Sequence, residues 1–241
     1  MSTNLLSLEG VQTHIGAYHI LHGVDLVVPR GQLTMLLGRN GAGKTTTLRT
    51  IMGLWHASQG RVRFGERDIT AMHTPQIAEL GIAYVPENMG IFSDLTVKEN
   101  MLLAARGARS AAEIDDTRLK WIFKLFPAVE KFWNHPAGKL SGGQKQMLAV
   151  SRAIVEPREL LLIDEPSKGL APVMINNMID AFAELKASGV TILLVEQNIN
   201  FAQRLGDTVA VMDNGRVVHS GSMAAFSADA QLQQSLLGLA L

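Results

Sequence analysis

The chain contains no cysteine. That absence removes disulfides, thiolate zinc sites and cysteine nucleophiles together, and it agrees with a reducing compartment. Neither sign of charge is in excess, because Lys+Arg and Asp+Glu both number 22. A balanced chain has no overall basic field with which to hold nucleic acid or an anionic membrane surface, although a local patch can still occur. Nucleic acid is therefore not an expected partner. Long apolar runs are missing too: "VTILLV" and "LTMLL" fall far short of the ~20 residues that span a bilayer. The opening "MSTNLLSLEG" lacks the basic region and apolar core of a signal peptide. Any membrane role is expected to come through partners. No internal repeat or low-complexity tract is visible.

What is present is a core-forming chain. With 241 residues, 47% hydrophobic and 18% charged, it can bury a substantial interior as one large domain or as one domain with an inserted subdomain. Over residues 1–37 the runs "LLSLEGV", "VDLVV" and "LTMLL" are punctuated by Gly23, Pro29 and Gly31, which predicts strands. "LTMLL" is apolar throughout and predicts a central strand covered on both faces. The pattern turns helical from about Gly43 to Leu54, then returns to strand at "GRVRF" and "GIAYV". From about Thr96 to Trp133 the alternation breaks, because "VKENMLLAAR" and "RLKWIFKLF" have helical periodicity and the stretch carries most of the large aromatics. It reads as an inserted helical subdomain. After Ser141 follow the helix "GGQKQMLAVSRAIV", the strand "LLLI", a helix opened by Pro172 and closed near Gly189, the strand "VTILLV" and a short helix. In "TVAVMDNGRVVHSG" the pair Asn214-Gly215 between apolar runs predicts a tight hairpin. This order implies an α/β fold: a mainly parallel sheet with antiparallel hairpin material at one side.

The segment "GRNGAGKTT", Gly38 to Thr46, satisfies G-x-x-x-x-G-K-[ST], follows an apolar strand and opens a helix, which is the context a P-loop requires. Glycines let the backbone curl until its N–H groups and the helix N-terminus face a phosphate. Gly38, Asn40, Gly41, Ala42, Gly43 and Thr46 are the candidates for that cradle. Lys44 would reach the β- and γ-phosphates and the Thr45 hydroxyl would ligate Mg²⁺. The bland alternative is a glycine-rich turn with no ligand. In "LLLIDEP" the apolar strand ends on Asp164, which would hold the metal through water, and Glu165 follows it as candidate general base. Adjacent side chains of a strand point to opposite sides, so the two acids are expected to have different tasks. In "LSGGQ", Ser141 can cap a helix, and the N–H groups of Gly142 and Gly143 would offer a second anion cradle.

The whole of "LSGGQ", from Leu140 to Gln144, lying ahead of the acidic strand, resembles the signature motif of ATP-binding cassette (ABC) ATPases. The resemblance covers Leu5 to about Leu237. It implies a single P-loop NTPase domain over 1–241, with an antiparallel β-subdomain and an inserted helical subdomain over about 96–140 that ends at the signature motif. It also implies ATP as ligand, Mg²⁺ as cofactor and ATP hydrolysis as activity. In that family two cassettes pair head to tail, and each nucleotide lies between the P-loop of one and the signature helix of the other. Ser141, Gly142, Gly143 and Gln144 would thus serve a nucleotide held by a second cassette.

Four positions depart from the commoner ABC pattern. Glu87 stands where the Q-loop glutamine is expected, as a candidate nucleotide and metal contact; Gln197 stands where the switch histidine is expected; Ala171 replaces the usual D-loop aspartate. Ile15 aligns with the adenine-stacking tyrosine, with Tyr18 and His14 as alternatives. Gln197 would sense the γ-phosphate as a hydrogen-bond donor, the alternative being that it caps the helix beginning near Asn198. Its neighbour Glu196 reads as a solvated strand end. "VPENMGIFSDLTVKENM", "EPSKGLAP" and "LLVEQN" together look like one of the two ATPase subunits of bacterial branched-chain amino acid importers. That resemblance implies a distinct second cassette in the transporter or a homodimer in isolation. It further implies two transmembrane permease subunits, an indirect periplasmic solute-binding protein, and a cytoplasmic place on the inner face of the cell membrane.

Other readings are a cassette of a related urea, amide or amino acid importer, a non-transport ABC ATPase, and a regulatory nucleotide-binding module. Non-transport members usually carry two cassettes or a long coiled coil, whereas this chain has one P-loop and no sustained heptads. Glu165 argues against a module that only binds. The scattered histidines show no metal-ligand spacing, the methionines read as packing, and "LKWIFKLF" reads as a packed helix rather than a membrane-surface one.

Overall fold

The computed structural model describes residues 3–105, 108, 110 and 113–238. The two extreme ends of the domain expected over 1–241, and Arg106 at the end of "VKENMLLAAR", lie outside the described residues. The strands are β1 (Asn4–Ile15), β2 (Tyr18–Pro29), β3 (Leu33–Gly38), β4 (Ala57–Phe64), β5 (Arg67–Asp68), β6 (Ile82–Val85), β7 (Leu160–Asp164), β8 (Thr191–Glu196), β9 (Thr208–Asp213) and β10 (Arg216–Ser222). The helices are α1 (Lys44–Ile51), α2 (Thr74–Glu79), α3 (Val97–Ala104), α4 (Asp116–Leu125), α5 (Pro127–Lys131), α6 (Gly142–Ala153), α7 (Pro172–Ala187), α8 (Ile199–Leu205), α9 (Met223–Ala228) and α10 (Ala230–Leu237).

Among the described residues the strands form two sheets. One has the order β10-β9-β3-β8-β7-β6, parallel except for the antiparallel edge strand β10. The other is antiparallel, β2-β1-β4-β5. The α/β reading with antiparallel material is therefore what the chain adopts. β3 is buried along its whole length, and its side chains alternate between two cores. Leu33, Met35 and Leu37 pack with Met178 and Phe182 of α7 and with Leu148 of α6, while Leu36 packs with Leu6, Leu8 and Val11 of the antiparallel sheet. β7 and β8 divide in the same way. That two-sided burial is why these strands read as unbroken apolar runs, and each buried Leu contributes about 1.5–3 kcal/mol to holding the layers together.

The region rich in aromatics folds as α3, α4 and α5. Thr96 caps α3 in a capping box with Glu99, and the buried Asn100 donates to the carbonyl oxygens of Phe92 and Thr96 at 2.9 and 3.0 Å, fixing the loop ahead of the helix. In α4 the apolar spacing buries Ile122, and Phe126 follows it into the core. Phe123 meets Trp133 edge-on at 5.2 Å. This helix spends its apolar face on the protein, as its periodicity predicts. No helix of the described residues is long and apolar enough to cross a membrane.

β3, β8 and β7 are parallel neighbours, so their C-terminal ends, Gly38, Glu196 and Asp164, fall on one edge of the sheet. Such an edge is where open α/β sheets place their ligands. The β9–β10 turn supports it from the side. Asn214 and Gly215 have φ of 44° and 72°, as a type I′ hairpin requires. The Gly215 N–H donates to the Ala42 carbonyl at 2.9 Å, and a Cβ added at Gly215 would lie 2.1 Å from the Ile20 carbonyl oxygen. Gly215→Ala combines a left-handed backbone with backbone overpacking and is expected to lower the unfolding free energy by about 2–4 kcal/mol. Asn214→Gly, which relieves the same backbone preference, is expected to change it by less than about 1 kcal/mol. Urea unfolding of the two variants measures both effects.

Candidate functional site

The P-loop curls because three of its glycines occupy backbone conformations closed to most side chains: φ is +149° at Gly38, +80° at Gly41 and +104° at Gly43. Gly38 and Gly43 face inward, where an added Cβ would lie 2.3 Å from the Met212 carbonyl oxygen and 2.9 Å from Leu21. Gly41 faces open space. Among the described residues, no hydrogen bond engages the backbone N–H groups of Gly41, Gly43, Lys44 or Thr45. Unpaired N–H groups at the start of a helix, on a loop with an open inner face, fit a phosphate chain.

Lys44 is 4% exposed and donates to the carbonyl oxygens of Gly38 and Arg39 at 2.9 and 3.0 Å. Burial lowers its pKa, and the nearby Glu165 and Asp164 carboxylates pull the other way. Thr45 Oγ1 donates to Asp164 Oδ1 at 3.1 Å, and the Tyr84 hydroxyl donates to Asp164 Oδ2 at 3.3 Å. Asp164 is fully buried, and desolvation raises its pKa against those two hydrogen bonds. Tyr84 in turn is pushed up to about 12, by burial first and by the Asp164 charge second. A buried carboxylate paired only with hydroxyls suits a divalent cation, which would supply the missing positive charge.

Glu165 differs from Asp164 for a reason other than strand alternation. β7 ends on Asp164, and Glu165 has φ of +48°, a left-handed conformation held by its N–H bond to the Val195 carbonyl at 2.9 Å. Such strain costs about 1–3 kcal/mol and persists only where surroundings impose it. The Gln197 amide donates to Glu165 Oε1 at 2.5 Å, and Lys44 Nζ lies 3.7 Å from the same oxygen. Lys168 Nζ lies 3.5 Å from Glu165 Oε2 and 2.6 Å from Glu87 Oε1. A cavity of about 370 Å³ is lined by the P-loop from Asn40 to Thr46 together with Glu87, Glu165 and Lys168.

Two readings of the sequence are resolved here: the expectation for Glu196 is overturned, and the alternative role weighed for Gln197 is excluded. Glu196 is 2% exposed, not a solvated strand end. Its carboxylate accepts the backbone N–H groups of Ser167, Gln197 and Asn198 at 2.9, 3.0 and 3.2 Å, tying the loops after β7 and β8 together, while burial raises its pKa. Gln197 does not cap α8. That task belongs to Asn198, whose side chain accepts the Phe201 N–H.

The signature residues do not line the P-loop cavity within this chain. Ser141 caps α6 in a capping box with Gln144. Gly142 faces open space, whereas a Cβ on Gly143 would sit 2.6 Å from the methyl carbon of Met174. The adenine question narrows geometrically: the His14 ring is already stacked on His19 at 4.1 Å, Tyr18 is 76% exposed, and Ile20 borders the P-loop cavity. Among the described residues no His/Asp/Glu group is arranged to hold a metal by itself. Tyr84 and Lys168 were not legible as site residues. Tyr84 sits in "GIAYV", a run that reads only as strand, and Lys168 lies in "EPSKGLAP", a stretch that marks the resemblance without giving this lysine a role.

A sequence model of the family described as "ABC transporter" matches residues 21–168. The chain is 38% identical to the high-affinity branched-chain amino acid transport ATP-binding protein BraG of Pseudomonas aeruginosa, over 97% of this chain and 100% of the relative. The fold is similar to a crystal structure of the ADP conformation of an ATP-binding cassette of an ABC transporter, with TM-score 0.81 and 26% identity over 97% of this chain and 98% of that one. It is also similar to a dimeric post-hydrolysis cassette bound to ADP and Pi, with TM-score 0.80 and 25% identity over 90% of this chain and 98% of that one.

The Glu196 anchor yields a direct test. In Glu196→Gln the new amide faces a backbone N–H with another donor, so about 1–3 kcal/mol of stability is expected to be lost. Urea unfolding at neutral pH measures it, and an unchanged midpoint would remove Glu196 from the role of anchor.

Proposed function

The chain belongs to the ABC transporter ATP-binding family, and from that premise we propose that it is the ATP-hydrolysing subunit of a bacterial importer for branched-chain amino acids. One observation carries the hydrolytic part: Lys44, Asp164, Glu165 and Gln197 converge at one end of the parallel sheet beside an open P-loop. The solute rests on the likeness to the branched-chain transport protein along that relative's whole length. A related importer of urea, amides or other amino acids is the second reading, because no residue of this site faces a transported solute.

In the proposed mechanism the unpaired N–H groups of Gly41, Gly43, Lys44 and Thr45 receive the phosphates, and Lys44 turns from the Gly38 and Arg39 carbonyls toward the β- and γ-phosphates. Thr45, Asp164 and, at the rim, Glu87 would hold Mg²⁺, which when bound offsets phosphate charge. Glu165 accepts the proton of the attacking water. Gln197 now donates to Glu165; with nucleotide bound it transfers that donor to the γ-phosphate and leaves the base free. Ser141 to Gln144 lie outside this cavity, and we assign them to the nucleotide of a second cassette. Residues from about 96 to 140 are assigned to one inserted helical subdomain that ends at the signature motif.

The partners proposed are a related but distinct cassette, a homodimer in isolation, and two membrane permease subunits that hold the chain on the cytoplasmic face, with a periplasmic binding protein acting through them. A cavity of about 750 Å³, bordered by Arg49, Trp55, Tyr84, Met89 and Arg152, is a candidate docking groove for a permease segment. Its floor includes Tyr84, which bonds Asp164, so an occupant would sit one side chain away from the metal carboxylate.

Two variants test the chemistry. Glu165→Gln is expected to keep Mg-ATP affinity and lose nearly all turnover, and with ATP and the partner cassette present to sediment as a stable pair; near-normal turnover would dismiss Glu165 as base. Gln197→Ala is expected to lower steady-state turnover by on the order of a hundredfold while leaving ADP affinity and the melting temperature in place. Intact turnover in the assembled transporter would dismiss the sensor.

A further inference from the structure

We propose that Lys168 is a positioning residue for hydrolysis: it neutralises the additional acid Glu87 at the metal side of the site and holds the Oε2 side of the Glu165 carboxylate. The proposal rests on the reading of Glu165 as general base. β6 and β7 are parallel neighbours, so the loops that follow them lie side by side, and Glu87 and Lys168 come from those two loops. Their contact is the shorter of the two that Lys168 makes, 2.6 Å against 3.5 Å to Glu165 Oε2. The base is therefore gripped at both oxygens, by Gln197 and Lys44 at Oε1 and by Lys168 at Oε2.

Stability is a poor explanation for this arrangement. The Lys168 side chain is 58% exposed and that of Glu87 44% exposed, and a solvent-screened pair of this kind adds little to stability. Local charge is a better one. Glu165 and Glu87 line this cavity, and the buried Asp164, bonded to Thr45 of its wall, feels both of their charges. Lys44 is committed to the loop carbonyls and, in the proposed mechanism, to the phosphates. Without Lys168, Glu87 would lose the cation 2.6 Å away, and Glu165 would keep Lys44 beside Oε1 but lose the cation beside Oε2.

Charge compensation has a signature that a packing role lacks. Lys168→Met is expected to tighten the binding of Mn²⁺ to the full chain in the presence of ADP by about three- to tenfold, because the cation that offsets Glu87 and Glu165 is lost. Mn²⁺ electron paramagnetic resonance titration reads this. Adding Glu87→Gln should return the affinity to within about twofold of wild type, and Lys168→Arg alone should also remain near wild type. In the assembled transporter Lys168→Met is expected to lower kcat by about tenfold with KM for ATP within twofold, and Lys168→Arg to restore most of it. Wild-type Mn²⁺ affinity in Lys168→Met, or a tightening that survives Glu87→Gln, overturns the proposal. Failure of the underlying reading is separate: it would show as turnover retained by Glu165→Gln, with the Mn²⁺ result unaffected.

Discussion

Lys44 is the charge on which the acidic end of the sheet depends. It is buried, its ammonium is held by two loop carbonyls, and the nearest anion is Glu165 at 3.7 Å. Desolvation works against its positive charge while Glu165 and Asp164 sustain it. The same burial works against the negative charge of Asp164. Each group thus makes the other's ionised form tolerable, and neither is at rest in the way a fully paired surface ion would be. A site in this condition favours a ligand that brings phosphate to the lysine and a cation to the aspartate at once.

Around that centre, backbone rather than side-chain contacts fix the geometry. Glu196 gathers three N–H groups from the two loops that carry Lys168 and Gln197. Glu165 takes a left-handed conformation pinned by Val195 of β8. The base and its donor are therefore positioned from neighbouring strands of one sheet, with Gln197 closing the gap between them. A buried carboxylate with only amide partners is costly unless its hydrogen bonds are complete. Here its three accepted hydrogen bonds join the loop after β7 to the loop after β8.

The fold and the centre of the site were largely legible in the sequence. Strands buried on both faces leave unbroken apolar runs, and the P-loop and Asp164-Glu165 follow such runs directly. Asn214-Gly215 announced its turn because positive φ at both positions restricts residue choice. What was not legible depends on contacts between distant segments. Nothing in "LLVEQN" distinguishes a buried, triply bonded Glu196 from an exposed one, and nothing near Lys168 points to Glu87, in the loop after a different strand. The cap of α8 shows the same limit at short range: Gln197 and Asn198 both carry amides, and only backbone geometry gives the cap to Asn198.

The signature segment shows how one motif divides its work. Ser141 and Gln144 satisfy each other's backbone N–H groups in the capping box, so neither of those donors is left for a ligand. Gly143 is needed inside, where even a methyl group would meet Met174 of α7. Gly142 alone of the pair faces open space. Of the two glycines only Gly142 could therefore take a side chain without meeting a neighbour, whereas Gly143 lets α6 pass close to Met174 of α7. α7 begins directly after the loop that carries Lys168 and Ala171. Any residue larger than glycine at 143 would therefore press on Met174 at the start of α7, close in the chain to the loop that carries Lys168.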